Sequence, residues 1–516
     1  VMHNIGCILR KIERTPIGLV AGTITFLAII FIRNQLELLL EADHNITISL
    51  STATVLADHV HVIMAWSYIY LMSVIVLATA GGCRWAGATR VSLCGFTLIW
   101  VPPLLDGAFG LSGAIIYQYR FDSFLSSFSS LFLPWVEVGY VTPGVRVEVF
   151  LVMLATLAYV GLCSVRRYAW WRAVLSAFLV YCAIFSMGYL PALVRLLSGN
   201  SHFELLQQSV LGVTATTAPV LWYLPVLLPL AIVFMKNTQP RLWKVFTSCL
   251  RTERMLIYLL FALAGVLQGA DRALIGSDWL NLYDITFVAL ALLCVAMAFI
   301  AMTALNDICD ANIDALSNPS RPLTGDKTLL SEYWFVLAFG VLLSIGMSFT
   351  FGVSQPVLLV GMLSLGGLYS LPPLRLRSYL LLAPLTLTLI ALVCYQFGMA
   401  LIWNNSTPEQ LNLPQLGGLA LLFFIAVQFK DIKDEAGDRA HGVQTIATCL
   451  GARRAYWVLG TLLLVAFAGL IVTGELKWSA ANVLAGLVFV LAFVIFKKSE
   501  WVICSLVGCL ALLLLN

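Results

Sequence analysis

The sequence predicts an all-α polytopic membrane protein of about fifteen transmembrane helices. Two observations carry this. The 516 residues are 60% apolar, with a mean hydropathy of +0.94, far above the soluble average. The apolar residues also fall into runs of roughly 16–25, each broken by a charged or Pro/Gly-rich loop, and each run is long enough to cross a bilayer.

In chain order, the first half holds spans at 16–36, 60–80, 92–117, 147–164, 173–191 and 218–235. The second half holds spans at 255–270, 284–305, 332–350, 356–371, 380–402, 415–429, 455–473, 479–496 and 501–516. The opening stretch MHNIGCILRKIERTPIG runs into an apolar segment with no small-residue cleavage site. It therefore reads as a retained helix with Pro16 at its start, where a missing N–H costs little. No polar stretch is long enough to fold a core of its own.

With the N-terminus inside, 24 of the 30 lysines and arginines fall on inner loops. Only Arg33, Arg120, Arg146, Arg195, Arg272 and Lys477 remain outside. The asymmetry obeys the positive-inside rule, and one miscounted span would scramble it. It places the N-terminus and the acidic loops in the cytoplasm and the C-terminus outside. The expected setting is a bacterial or archaeal cell membrane. The basic segment 236–254, KNTQPRLWKVFTSCLRTER, separates two domains, 1–245 and 246–516. The basic residues form no stripe, so nucleic acid is not an expected partner. The twelve cysteines are scattered with no CxxC and read as small buried hydrophobes.

Three inner loops of the second half carry the chemistry. In NDICDANIDALSNPSRPLTG, Asn306, Asp310 and Asp314 recur at i, i+4 and i+8 and share one helix face. Asp307 lies about 100° round from Asn306. In FKDIKDEAGDRAHGVQT, Asp431 precedes Asp434 by three, and Asp438 follows by four. Like-charged carboxylates on one face repel unless a cation lies between them, and Mg²⁺ prefers oxygen ligands shared with substrate phosphates. Two such arrays on one side of a bundle can hold divalent ions and one diphosphate across a cavity. In YSLPPLRLR the proline pair stops a helix, and Arg375 and Arg377 follow as phosphate-binding candidates. Elsewhere, Tyr395 and Phe397 are candidate aromatic faces, His441 a proton acceptor, and Asp106 an acid lining a cavity in the first half. His59 and His61, at i and i+2, do not share a face. The segment 118–146 is aromatic enough to lie on the membrane surface.

NDICDANID resembles the NDxxDxxxD motif of the UbiA superfamily of intramembrane prenyltransferases. NPSRPLTG is similar to that family's NxxRPL segment and YSLPPLRLR to its YSxPPxRLK segment, with Arg377 where Lys is common. KDIKDEAGDRAHGVQTIATCLG resembles the second Asp-rich motif. The resemblance covers about residues 250–516 and implies a nine-helix UbiA-like bundle. It implies that Asn306, Asp310 and Asp314, with Asp434 and Asp438, hold Mg²⁺ on an isoprenoid diphosphate, with Asp307 and Asp431 as further motif positions. Arg321, Arg375, Arg377, Tyr369 and Lys430 would bind the diphosphate. The implied reaction moves a prenyl group from that donor to an acceptor not readable from the sequence, among membrane lipids. Two alternatives stay open: a terpene cyclase on the same scaffold, and a non-enzymatic lipid transporter or scaffold. The first half matches nothing in the resemblance; docking of a protein partner, substrate delivery or a second activity are its expected roles.

Overall fold

A computed structural model describes residues 2–40, 52–109, 142–163, 170–214, 217–273, 281–317, 320–403, 413–440 and 442–472. The expected spans 479–496 and 501–516, His441, and most of the segment 118–146 lie outside these. Every regular element among the described residues is helical. They form two compact units, one of 1–208 with 214–240, the other of 209–213 with 241–516.

The first unit contains α1 (Met2–Arg14), α2 (Leu19–Leu40), α3 (Thr52–Thr79), α4 (Trp85–Gly95), α5 (Val101–Ala108), α6 (Pro143–Cys163), α7 (Trp170–Met187), α8 (Leu190–Ser198), α9 (His202–Gln207) and α10 (Ala218–Thr238). A tight core forms where Val74 and Leu77 of α3 meet Tyr159 and Val160 of α6 and Ala173 of α7. The third expected span, 92–117, begins earlier than its charges suggested. The helix starts at Trp85, and a 3₁₀ turn at Phe96–Trp100 joins α4 to α5, with Pro102 and Pro103 in its first turn. Arg90 is accommodated inside α4 because its guanidinium donates to the Glu13 carbonyl at the end of α1, 2.5 Å away. The helix α1 itself was not anticipated.

Asp106 is buried and accepts hydrogen bonds from Thr142 Oγ1 (2.5 Å) and Gly144 N (2.8 Å), so it caps the start of α6. His61 packs its ring on Tyr223.

The second unit contains α11 (Pro240–Leu250), α12 (Thr252–Ala273), α13 (Leu282–Ser317), α14 (Leu330–Ser348), α15 (Ser354–Ser370), α16 (Leu382–Trp403), α17 (Leu413–Ala426), α18 (Glu435–Ala440), α19 (Ile446–Leu450) and α20 (Ala452–Val472). Among the described residues, eleven helices are long and apolar enough to cross a membrane. Helices α15 and α17 match two further expected spans, 356–371 and 415–429, and at 17 and 14 residues are shorter than those eleven. The chain is an integral, multi-pass helical membrane protein.

At 36 residues, α13 is the longest of the described elements. It runs about 54 Å, well beyond a hydrocarbon core of about 30 Å, so its last turns extend past the apolar layer. Its start is fixed by Asn281, whose side-chain oxygen accepts from Tyr283 N (2.8 Å) and Asp284 N (3.1 Å). The fully buried Asp284 carboxylate accepts from Ser209 Oγ (2.7 Å) and Leu211 N (3.1 Å). That bond set anchors 209–213 in the second unit.

Helices α12 and α16 cross with their backbones in contact. A Cβ on Gly265 would lie 2.9 Å from Met399 N, and one on Gly398 would lie 2.9 Å from Val266 N, each meeting a carbonyl oxygen more closely still. Small residues at a crossing are how membrane helices approach closely without a hydrophobic drive between them. Gly398→Val should therefore destabilise the protein by at least the roughly 1–3 kcal/mol typical of an overpacked core. The check is the thermal unfolding midpoint in detergent. Gly361→Ala, where an added Cβ meets nothing within 4 Å, should leave the midpoint unchanged or slightly raised.

Candidate functional site

The second unit encloses a cavity of about 170 Å³ at the C-terminal end of α13. Asn306, Asp310 and Asp314 line one wall, as a continuous helix with a spacing of four requires. Asp431, Asp434 and Asp438 line another, from the 3₁₀ turn after α17, the link that follows it and α18 respectively. Arg251, Arg254, Arg321, Arg377 and Lys430 complete the polar end. Below it the lining turns apolar and aromatic, with Tyr258, Phe299 and Phe423.

Asp310 is fully buried, and Asp314 is 5% exposed. Charges at that depth need partners. Asp310 takes two guanidinium groups, Arg375 Nη2 at 2.7 Å and Arg377 in closer contact. Asp314 pairs with Arg321. Asp307 faces away from the cavity and accepts from Arg251 and, at 3.1 Å, from Arg321. Its place is behind two cavity-lining arginines, which it positions. Arg375 likewise lies behind the lining, against Asp310. Arg251 and Arg375 both have φ of +36°, a left-handed backbone that a long side chain seldom adopts. One precedes α12 and the other follows α15, so strained backbone brackets the charged end of the cavity.

Lys430 Nζ donates to Tyr369 Oη at 2.8 Å and lies 3.7 Å from Asp431. Burial opposes its charge, but Tyr369 and Asp431 together hold the ammonium above its usual range. Burial raises Asp431 above the ordinary carboxylate range. Burial, then Asp431, pushes Asp438 up to about 6. Burial first, then the neighbouring Arg251, lowers Arg321 to about 10, which leaves it charged at neutral pH.

The donor set fits a hard divalent cation, since the acids and Asn306 offer only oxygens. Among the described residues, no three acids, histidines or cysteines converge on one point; the guanidinium pairs on Asp310 and Asp314 account for the α13 side. Carboxylates for a cation and guanidiniums for an anion thus share one cavity, the pairing that an ion-bound diphosphate needs.

Of the residues singled out in the sequence, Asn306, Asp310, Asp314, Arg321, Tyr369, Arg377, Lys430, Asp431, Asp434 and Asp438 meet at this cavity. Asp307 and Arg375 stand one layer back. Tyr395 and Phe397 do not line it: both are buried, Phe397 packs on Phe351, and the Tyr395 carbonyl lies against Gly265. Arg251 and Arg254 were missed. They sit in the basic segment 236–254, where the only signal was membrane sidedness. Of the described cysteines, Cys83, Cys249, Cys294 and Cys394 are buried, while Cys7, Cys94 and Cys449 are exposed.

The fold and this cavity define a class: helical membrane proteins with facing aspartate arrays and arginines at one end of the bundle. Residues 258–512 match the model of the UbiA prenyltransferase family, and that part of the chain belongs to the family. The chain is 30% identical over 172 residues to homogentisate phytyltransferase of Synechocystis sp., covering 32% of this chain and 54% of the relative. It is 26% identical over 239 residues to the chloroplastic naringenin 8-dimethylallyltransferase 2 of Sophora flavescens, covering 42% and 58%. It thus spans little more than half the length of these curated relatives. Among solved structures, it is similar to a UbiA homolog from Archaeoglobus fulgidus bound to GPP and Mg²⁺. That similarity is 16% identity and a TM-score of 0.39, over 52% of this chain and 96% of the other.

Metal ions bind the deprotonated carboxylate, and Asp438 holds its proton up to about 6. Below that value the group is neutral and competes poorly for a cation; above it the anion is available. For a Mg²⁺ ion held at Asp438, affinity should therefore rise between roughly pH 5 and roughly pH 7. Calorimetric titration at stepped pH checks this, and Asp438→Asn should flatten the step.

Proposed function

We propose that the second domain, 246–516, transfers a prenyl group from an isoprenoid diphosphate to an acceptor and releases diphosphate. The observation that supports this is one cavity with five aspartates and four arginines at its polar end and aromatic, apolar walls below. In this reading the first domain, 1–245, is a separate transmembrane domain. The charged end of the cavity faces the inner side, where the positive-inside rule puts the loops.

A bound Mg²⁺ would be held by Asn306, Asp310 and Asp314 with Asp434 and Asp438, and would supply positive charge to the leaving diphosphate. Asp431, beside Lys430, adds to the negative field facing it. Arg251, Arg321 and Arg377 bind phosphate oxygens, with Arg375 and Asp307 fixing their directions. Lys430, held by Tyr369, adds a compact positive charge. The allylic C–O bond breaks with its electron pair leaving on the diphosphate. Arginines already in place stabilise that charge without reorganising. Tyr258 and Phe423 line the cavity below the polar end, and aromatic faces attract a cation such as the developing allyl group. The acceptor's nucleophilic atom bonds the prenyl carbon and loses a proton. The names of the relatives make an aromatic acceptor the class to test first.

Asp310→Ala and Asp434→Ala should each reduce Mg²⁺-dependent diphosphate release by at least about a hundredfold, the scale on which a group stabilising transition-state charge acts. Turnover retained in both variants would overturn the proposal. Mass spectrometry of the product separates transfer, which yields a prenylated adduct, from cyclisation, which yields a hydrocarbon or alcohol. Asp307→Asn should weaken donor binding by roughly tenfold, about 1.4 kcal/mol, while Mg²⁺ affinity changes little. An equal loss of both would make Asp307 a metal ligand instead.

A further inference from the structure

The α13 face that carries the acids continues toward the middle of the helix. Met302 lies four residues before Asn306, so it occupies the same face one turn, about 5.4 Å, below the polar end. It lines the cavity, as does Gly366 on α15, which lies three residues before Tyr369. The two touch. A Cβ placed on Gly366 would lie within 2.5 Å of Met302 Cγ and 3.3 Å of Met302 Cβ, and closest to Sδ. The thioether therefore lies in the notch that the missing side chain leaves. Phe299 lies nearly another turn below on α13, and Leu387 and Ile390 of α16 are also apolar lining. A chain attached to a diphosphate at the polar end must pass Met302 to reach them.

We propose that Met302, lodged against Gly366, is a specificity-determining residue that sets the length of isoprenoid chain the cavity takes. The inference rests on the prenyl diphosphate reading above. Methionine suits the position because it is unbranched and has three rotatable bonds. It can lie in the notch, which leaves the passage open, or project across it. Without a side chain at 302 the passage to the apolar walls below widens. With a methyl at 366 the notch is filled, and the thioether must project into the cavity.

The test uses the full chain in detergent with Mg²⁺ and no acceptor. Dissociation constants for geranyl diphosphate, geranylgeranyl diphosphate and inorganic diphosphate are measured by calorimetry. Met302→Ala should shift the ratio of the two prenyl constants by about tenfold toward the longer chain, the effect expected where a pocket gains room for an extra carbon. Gly366→Ala should shift it toward the shorter chain. In the double variant the Gly366→Ala effect should vanish, since the residue it displaces is gone. Inorganic diphosphate affinity should hold in all variants, and Met302→Leu should keep the wild-type ratio. An unchanged ratio in Met302→Ala overturns this inference alone. So does a Gly366→Ala effect that persists in the double variant. Wild-type protein that binds neither prenyl diphosphate overturns the prenyl reading and this inference with it.

Discussion

A carboxylate with no exposure at the end of a membrane helix must be paired, and the charged end of the second unit is organised by that need. Asp310 is fully buried and takes Arg375 and Arg377. Asp307 and Asp314 take Arg321 between them, and Asp307 also takes Arg251. Unpaired, any of these acids would carry a desolvation cost of several kcal/mol. The pairs draw together α13, the loop after α15, the start of α12 and the turn that follows α13. Arg251, Arg321 and Arg377 border one cavity with the second aspartate array, so the ionic network that allows the acids to be buried also places cationic groups on the cavity wall.

That arrangement depends on apolar packing further down. The α12–α16 crossing brings backbone against backbone at Gly265 and Gly398, which fixes the distance between helices carrying Tyr258 and Ile390 into the cavity. Close approach of this kind replaces the hydrophobic drive that a membrane cannot supply between helices. Packing in the apolar layer and ion pairing at its edge thus act on the same helices. A change in one shifts the geometry available to the other.

Much of the site was legible because helical spacing is rigid. Asn306, Asp310 and Asp314 share a face in the sequence for the same reason that they line one wall of the cavity. The second array and the proline-terminated loop were legible through their motifs. Asp307 shows the limit. It belongs to the same motif, yet its direction, about 100° round the helix, turns it away from the cavity toward Arg251 and Arg321. Tyr395 and Phe397 show another. They lie on a helix that contributes Leu387 and Ile390 to the cavity, but they are buried near the tight α12–α16 crossing instead.

By itself, the sequence determined the class of protein, most of the span positions, and the two aspartate arrays with Arg321 and Arg377. Hydropathy, charge asymmetry and a spacing of four are properties of the chain within a few residues. The tertiary structure alone decided which acids face the cavity and which serve the arginines, and that Arg251 and Arg254 join the site. It also decided that Asp106 is a helix cap, and that Met302 rests on Gly366. Each of these depends on the rotation of one helix relative to another. That rotation is set by packing contacts between residues far apart in the chain.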